Sequence, residues 1–122
     1  MRRALPLLAA LSVACSPSAP PPPTVQVSCV PEASPLRQRC TVTIIDRRTG
    51  GPVNGAAVTL AADMPSMPLA HSVRPVTATP GAGAGTYDGA LELEMTGRWV
   101  ITVRITGPVY DQVTHAIDVE RR

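Results

Sequence analysis

From Val25 onward, apolar and polar residues alternate in short runs, and turn-forming residues interrupt them about every eight to twelve positions. Val25, Val27 and Cys29 share one face of a first strand, and Cys40, Val42 and Ile44 share one face of a second that ends at Asp46. The run 47–52, Arg-Arg-Thr-Gly-Gly-Pro, reads as a turn, and a third strand follows with Val58 and Leu60 on one side. Further on, Tyr87, Gly89, Leu91, Leu93 and Met95 alternate against Asp88, Glu92 and Glu94. Trp99, Ile101, Val103 and Ile105 alternate against Arg98, Thr102 and Arg104, and Val113, His115, Ile117 and Val119 close the set. No stretch carries a sustained helical period.

Period-2 alternation requires one buried and one solvated face, the pattern of antiparallel sheets packed against each other. Residues 25–122 are therefore expected to form an all-β domain, an immunoglobulin-like β-sandwich of about seven antiparallel strands. A closed barrel is the alternative. Trp99, a lone aromatic on an inward face, is expected at the centre of the core.

The segment before this domain has a different character. Residues 1–15, MRRALPLLAALSVAC, place two arginines before an apolar run that is too short to span a bilayer as a helix. Residues 1–14 read as a signal peptide. The sequence Leu11-Ser12-Val13-Ala14-Cys15 resembles a bacterial lipobox, with Ser12 where Leu is commoner. That resemblance implies cleavage before Cys15, lipid on its sulfur and acylation of its amine, and several acyl chains give stable anchoring. Ser16 in place of Asp implies sorting to the outer membrane in lipoproteins of the enteric type. The expected location is the cell envelope, facing the periplasm; an ordinary secreted protein is the alternative. Residues 15–24 hold the anchor and a spacer with five prolines between Pro17 and Pro23, a composition that favours extended polyproline II.

Composition narrows the function. The full chain of 122 residues has eleven arginines, no lysine and nine acids, and aromatics make up only 2%. A base-stacking platform is excluded by so few aromatics, and no nucleic-acid partner is expected. If Cys15 carries lipid, Cys29 and Cys40 remain as an even pair in a compartment that permits disulfides, separated by a segment with Pro31 and Pro35 that reads as a turn. A bridge there would contribute about 2 to 3 kcal/mol in the chain-entropy model. The competing reading makes both thiols metal ligands, without a CxxC spacing to support it. No phosphate-cradling loop, GxSxG elbow or HExxH pair occurs, and Glu92 and Glu94 flank an inward Leu93, so no enzyme activity is expected.

Two stretches are more specific. Residues 46–60 look like the strand-turn-strand opening of many extracellular immunoglobulin-like and transthyretin-like modules. The second is Met64-Pro65-Ser66-Met67-Pro68-Leu69-Ala70-His71, followed by Gly85-Thr86-Tyr87 and Met95-Thr96-Gly97-Arg98-Trp99. This order is similar to the YtkA-like and FixH-like family of bacterial envelope proteins, over about residues 40–106. The resemblance implies an immunoglobulin-like sandwich facing the periplasm. FixH proteins are associated with copper-dependent oxidase assembly and carry a transmembrane helix, which a lipid anchor would replace here.

From the residues themselves, Pro65 and Pro68 push Met64 and Met67 toward polyproline II, which would set them on one side about 9 Å apart. Two thioethers, the His71 imidazole and a third sulfur from Met95 would make a soft, uncharged site that favours copper(I). His115 lies in phase with Val113 and Ile117 and reads as a strand residue. The alternative is that Met64 and Met67 plug the open end of the sandwich as adaptable packing. Two functions stay open: a metal-handling module, and a metal-free scaffold that docks on an envelope protein.

Overall fold

The computed structural model describes Arg3, Ala4, Pro6 and residues 21–67 and 73–120. Seven strands and no helix occur among the described residues: β1 (Thr24–Glu32), β2 (Ser34–Ile45), β3 (Ala57–Asp63), β4 (Val76–Pro80), β5 (Thr86–Glu92), β6 (Gly97–Thr106) and β7 (Asp111–Val119). All pairings are antiparallel, in the order β1-β2-β5-β4-β3-β6-β7. Strand β4 belongs to both halves. Its first three residues, Val76 to Ala78, pair with β3, and Thr79 and Pro80 then pair with β5. The two outermost strands, β1 and β7, approach each other, so the sheet nearly closes on itself. One half is β1-β2-β5-β4 and the other β3-β6-β7, which matches the two sheets of an immunoglobulin-like sandwich.

The inward faces are those that the alternation marks. Val42, Ile44, Val58, Leu60, Ile101 and Val103 are wholly buried, and Trp99 sits among them at 0% exposure. On β1 and β7 the inward residues Val25, Val27, Val113 and Ile117 are only half covered, because each of these strands has one neighbour. Strand β4 is absent from the alternation pattern: of its five residues only Ala78 is buried, and it ends in a proline.

The segment between the two cysteines departs from the expected turn. The reversal is confined to Ala33, at φ 64°, and β2 already begins at Ser34, so Pro31 and Pro35 lie inside strands. A register shift between Pro31 and Glu32 accommodates this, since neither proline can donate to the ladder. The Gln38 side chain, 6% exposed, turns back to donate from Nε2 to the Pro35 carbonyl at 2.8 Å. Cys29 and Cys40 face each other in the register and form a disulfide. Beside it Arg39 pairs with Glu32 across the hairpin.

The sandwich has two distinct ends. At one, the chain enters β1 near the loops β2–β3, β4–β5 and β6–β7. At the other stand the β1–β2 hairpin and the loops β3–β4 and β5–β6. Ten residues of β6 separate them by about 30 Å at 3.3 Å per residue. The entry end is cross-braced by Tyr87, whose hydroxyl donates to the Val53 carbonyl at 2.7 Å and accepts the Ala56 N–H at 3.0 Å. Asn54 adds a bond from the Gly85 N–H at 2.9 Å.

Replacing Tyr87 by Phe strands the Ala56 donor and the Val53 acceptor, and denaturant unfolding should show a loss of about 1 to 3 kcal/mol. The Glu32–Arg39 pair gives a pH signature. The hydrogen bond from Arg39 is the main cause that holds the Glu32 carboxyl below its ordinary value of 4.5. A lowered folded-state value means that the pair stabilises above the ordinary carboxylate range and stops doing so as pH falls through the lowered value. The stability difference between wild type and Glu32→Gln should therefore be constant near neutrality and shrink to nothing in acid, read from urea titrations at several pH values.

Candidate functional site

The end of the sandwich away from chain entry gathers the methionines. Asp63, the last residue of β3, pairs with Val100 of β6, so the residue after it falls beside the start of β6. That residue, Met64, is 4% exposed and belongs to the core. Its Cε sits over Gly97, where an added Cβ would come within 2.7 Å of it. Gly97 also has φ +133°, a conformation that L side chains rarely adopt. The backbone angle is what demands glycine, since the Met64 methyl is the far end of a flexible side chain and can give way.

Two residues before Gly97, the Met95 carbonyl accepts a hydrogen bond from Trp99 Nε1 at 2.9 Å. The buried indole thereby fixes the backbone of the β5–β6 loop. Strand β5 ends at Glu92, so Met95 lies in that loop rather than on the strand's inward face, and its side chain is half-buried against the core. Met67 is half-buried there as well.

The backbone of residues 64–67 differs from the expected polyproline II. The Met67 N–H donates to the Met64 carbonyl at 3.0 Å, which closes a turn, and polyproline II has no such internal bond. Pro65 explains the outcome: at the second position of a β-turn its fixed φ is already correct. The turn brings Met64 and Met67 closer along the backbone than the extended form would. His71 lies outside the described residues, as does Cys15. His115 stands opposite Ile101 in the middle of β7, half-buried and away from this end.

Among the charged groups of the strands that reach this end, Arg37 pairs with Glu92, Arg39 with Glu32, and Arg98 with Asp118 at 3.9 Å, while exposed Asp63 and Glu94 adjoin Met64 and Met95 in the chain. Among the described residues no three His, Cys, Asp or Glu side chains form a metal-binding group. The donors that this end offers are thioether sulfurs, soft and uncharged, and such ligands suit copper(I) rather than hard cations. Gly97 is the residue of this site that the alternation pattern passes over. Its only signal is its place in Met-x-Gly-x-Trp.

The burial of the three methionines separates packing from access. Met64→Ala opens a cavity beside Gly97 and should cost about 2 to 4 kcal/mol in unfolding free energy. Met67→Ala and Met95→Ala, at half-covered positions, should each cost under about 1 kcal/mol. Equal costs at all three would contradict the placement of Met64 in the core.

The family model described as YtkA-like matches residues 22–104, a span from just before β1 to within the last residues of β6. Neither a curated protein nor a solved structure matches the chain. The matched span takes in Met64, Met67, Met95, Gly97 and Trp99 together with both cysteines of the disulfide, and it covers well over half of the chain. The chain belongs to the YtkA-like family.

Proposed function

We propose that this protein is a non-enzymatic, lipid-anchored module of the bacterial envelope that faces the periplasm and holds copper(I) at its methionine end. One observation carries the reading. Met64, Met67 and Met95, all the methionines beyond Met1, gather at the end of the sandwich opposite the point where the chain enters from the anchor. A lipid on Cys15 would leave that end pointing away from the membrane.

The donor set suits the ion. Met67 and Met95 are the accessible thioethers and would hold copper(I) first, with Met64 behind them and the His71 imidazole four residues past Met67. Thioether donors favour a monovalent soft ion over divalent cations that need carboxylates. The role is to sequester the ion or to pass it to a periplasmic acceptor; sorting to the outer membrane follows the Ser16 reading.

A metal-free docking role is the second reading, and the edge strands favour it. β1 and β7 each leave one edge unpaired and an apolar inward face half covered, the condition under which an extended strand of an envelope partner adds to a sheet.

Titration of the mature domain with copper(I) against a competing chelator decides between them. Wild type should compete at micromolar free copper. Met67→Leu/Met95→Leu should weaken binding by more than the roughly 10- to 100-fold that outer-shell changes cost. No competition by wild type, or an unchanged affinity in the double variant, would overturn the copper reading and leave the docking role.

A further inference from the structure

The entry end carries features that neither the fold nor the methionine site uses. Tyr110, in the β6–β7 loop, is 75% exposed, one of two large hydrophobic residues left in solvent among those described. Beside it, Pro21 and Pro23 line a small cleft of about 100 Å³ with Val109, Tyr110 and Arg48, and Pro23 is buried. The spacer is therefore seated on the domain as far back as Pro21.

Charge at this end is sorted by direction. Asp46 turns inward, 21% exposed, and its Oδ1 accepts the Arg48 N–H at 2.8 Å. The Asp111 carboxylate accepts the Gln112 N–H at 2.8 Å. Arg48 Nε lies 3.8 Å from Asp46 Oδ1, yet 65% of its side chain is exposed, and exposed Arg47 reaches Thr24 Oγ1 at 3.3 Å. Arg48 thus shares its charge with Asp46 while both guanidinium groups remain exposed to solvent.

We propose that this end rests on anionic phospholipid headgroups through Arg47, Arg48 and Tyr110. The inference rests on the lipid-anchor reading, and chain length argues for it. Pro21 is six positions beyond Cys15, and even fully extended those six steps span no more than about 22 Å, less than the length of the sandwich. The entry end is thus kept close enough to reach the anionic headgroups, which act on arginines within a Debye length, and a tyrosine ring is suited to the same depth. The methionine end points outward as a consequence.

The test uses the full chain, acylated in cells and reconstituted in phosphatidylethanolamine/phosphatidylglycerol vesicles. Cys29 and Cys40 are bridged, so a single introduced thiol takes a fluorophore: Pro108→Cys beside Tyr110, or Ser66→Cys beside the methionines. Headgroup-labelled nitroxide lipid should quench strongly at 108 and weakly at 66. Arg47→Gln/Arg48→Gln should lower the docked-to-free ratio about 25-fold at low salt, about five-fold for each arginine, and vesicles of phosphatidylcholine alone should act likewise. Equal quenching at both sites, or no response to the arginine changes, overturns the proposal while flotation of the protein with the vesicles upholds the anchor. Absence of flotation from acyl-competent cells refutes the anchor reading and the docking with it.

Discussion

Burying an indole obliges its N–H to find an acceptor inside the protein, and here that acceptor is the Met95 carbonyl. Much of the architecture of the methionine end depends on this bond. It holds the β5–β6 loop against the core, sets Gly97 in a conformation closed to other residues, and leaves a surface on which the Met64 methyl rests. Tyr87 plays the matching part at the entry end. Its hydroxyl reaches Val53 and Ala56 and so fixes the β2–β3 loop that carries Arg47 and Arg48. A core with two large buried aromatics uses the polar tip of each to pin one end of the sandwich.

The edges show what such a core leaves uncovered. β1 and β7 have one partner each, and their inward residues are half exposed. The two edges are secured differently. β1 is stapled to β2 by the Cys29–Cys40 disulfide and braced by the Glu32–Arg39 pair, and it ends in the irregular stretch around Pro31. Proline and a bulge blunt an edge against unwanted pairing. β7 has no such irregularity in its nine paired residues, and a cleft of about 270 Å³ opens between its Ile117–Glu120 end and the Cys29–Pro31 stretch of β1. A strand from a partner would therefore meet less resistance at β7 than at β1.

The fold was legible where burial alternates strictly. Val42 and Ile44, Tyr87 and Leu91, and the series from Trp99 to Ile105 each announce an inward face, and each is inward. β4 was hidden because a five-residue strand with one buried side chain has no period to detect, and it spends those residues bridging two sheets. Pro31 and Pro35 suggested a wide turn because proline usually marks one; a register shift absorbs them within the hairpin instead. The methionine end was half legible. Soft residue types and the Met-Pro spacing were visible, but the meeting of Met64 with the Met95–Gly97 loop depends on β3 pairing with β6 across an intervening stretch of chain. Local pattern carries no record of such a pairing, and Pro65 completing a turn rather than an extended run is likewise decided by one hydrogen bond.

Net charge gives this protein no means of orienting itself. Without Arg2 and Arg3, which the export reading removes, nine arginines stand against nine acids. Orientation must come from where the charges point. At the entry end the carboxylates of Asp46 and Asp111 accept backbone N–H groups, and Arg48 stands beside Asp46 while both it and Arg47 remain exposed. Toward the methionine end Arg37, Arg39 and Arg98 each stand beside an acid. The same balanced composition thus sets exposed arginines at one end and soft thioethers at the other. A surface of anionic headgroups attracts only the first, and a soft monovalent cation is repelled by the first more than by the second. On the proposed docking, loops that Tyr87 and Trp99 hold in place would give a neutral domain a front and a back.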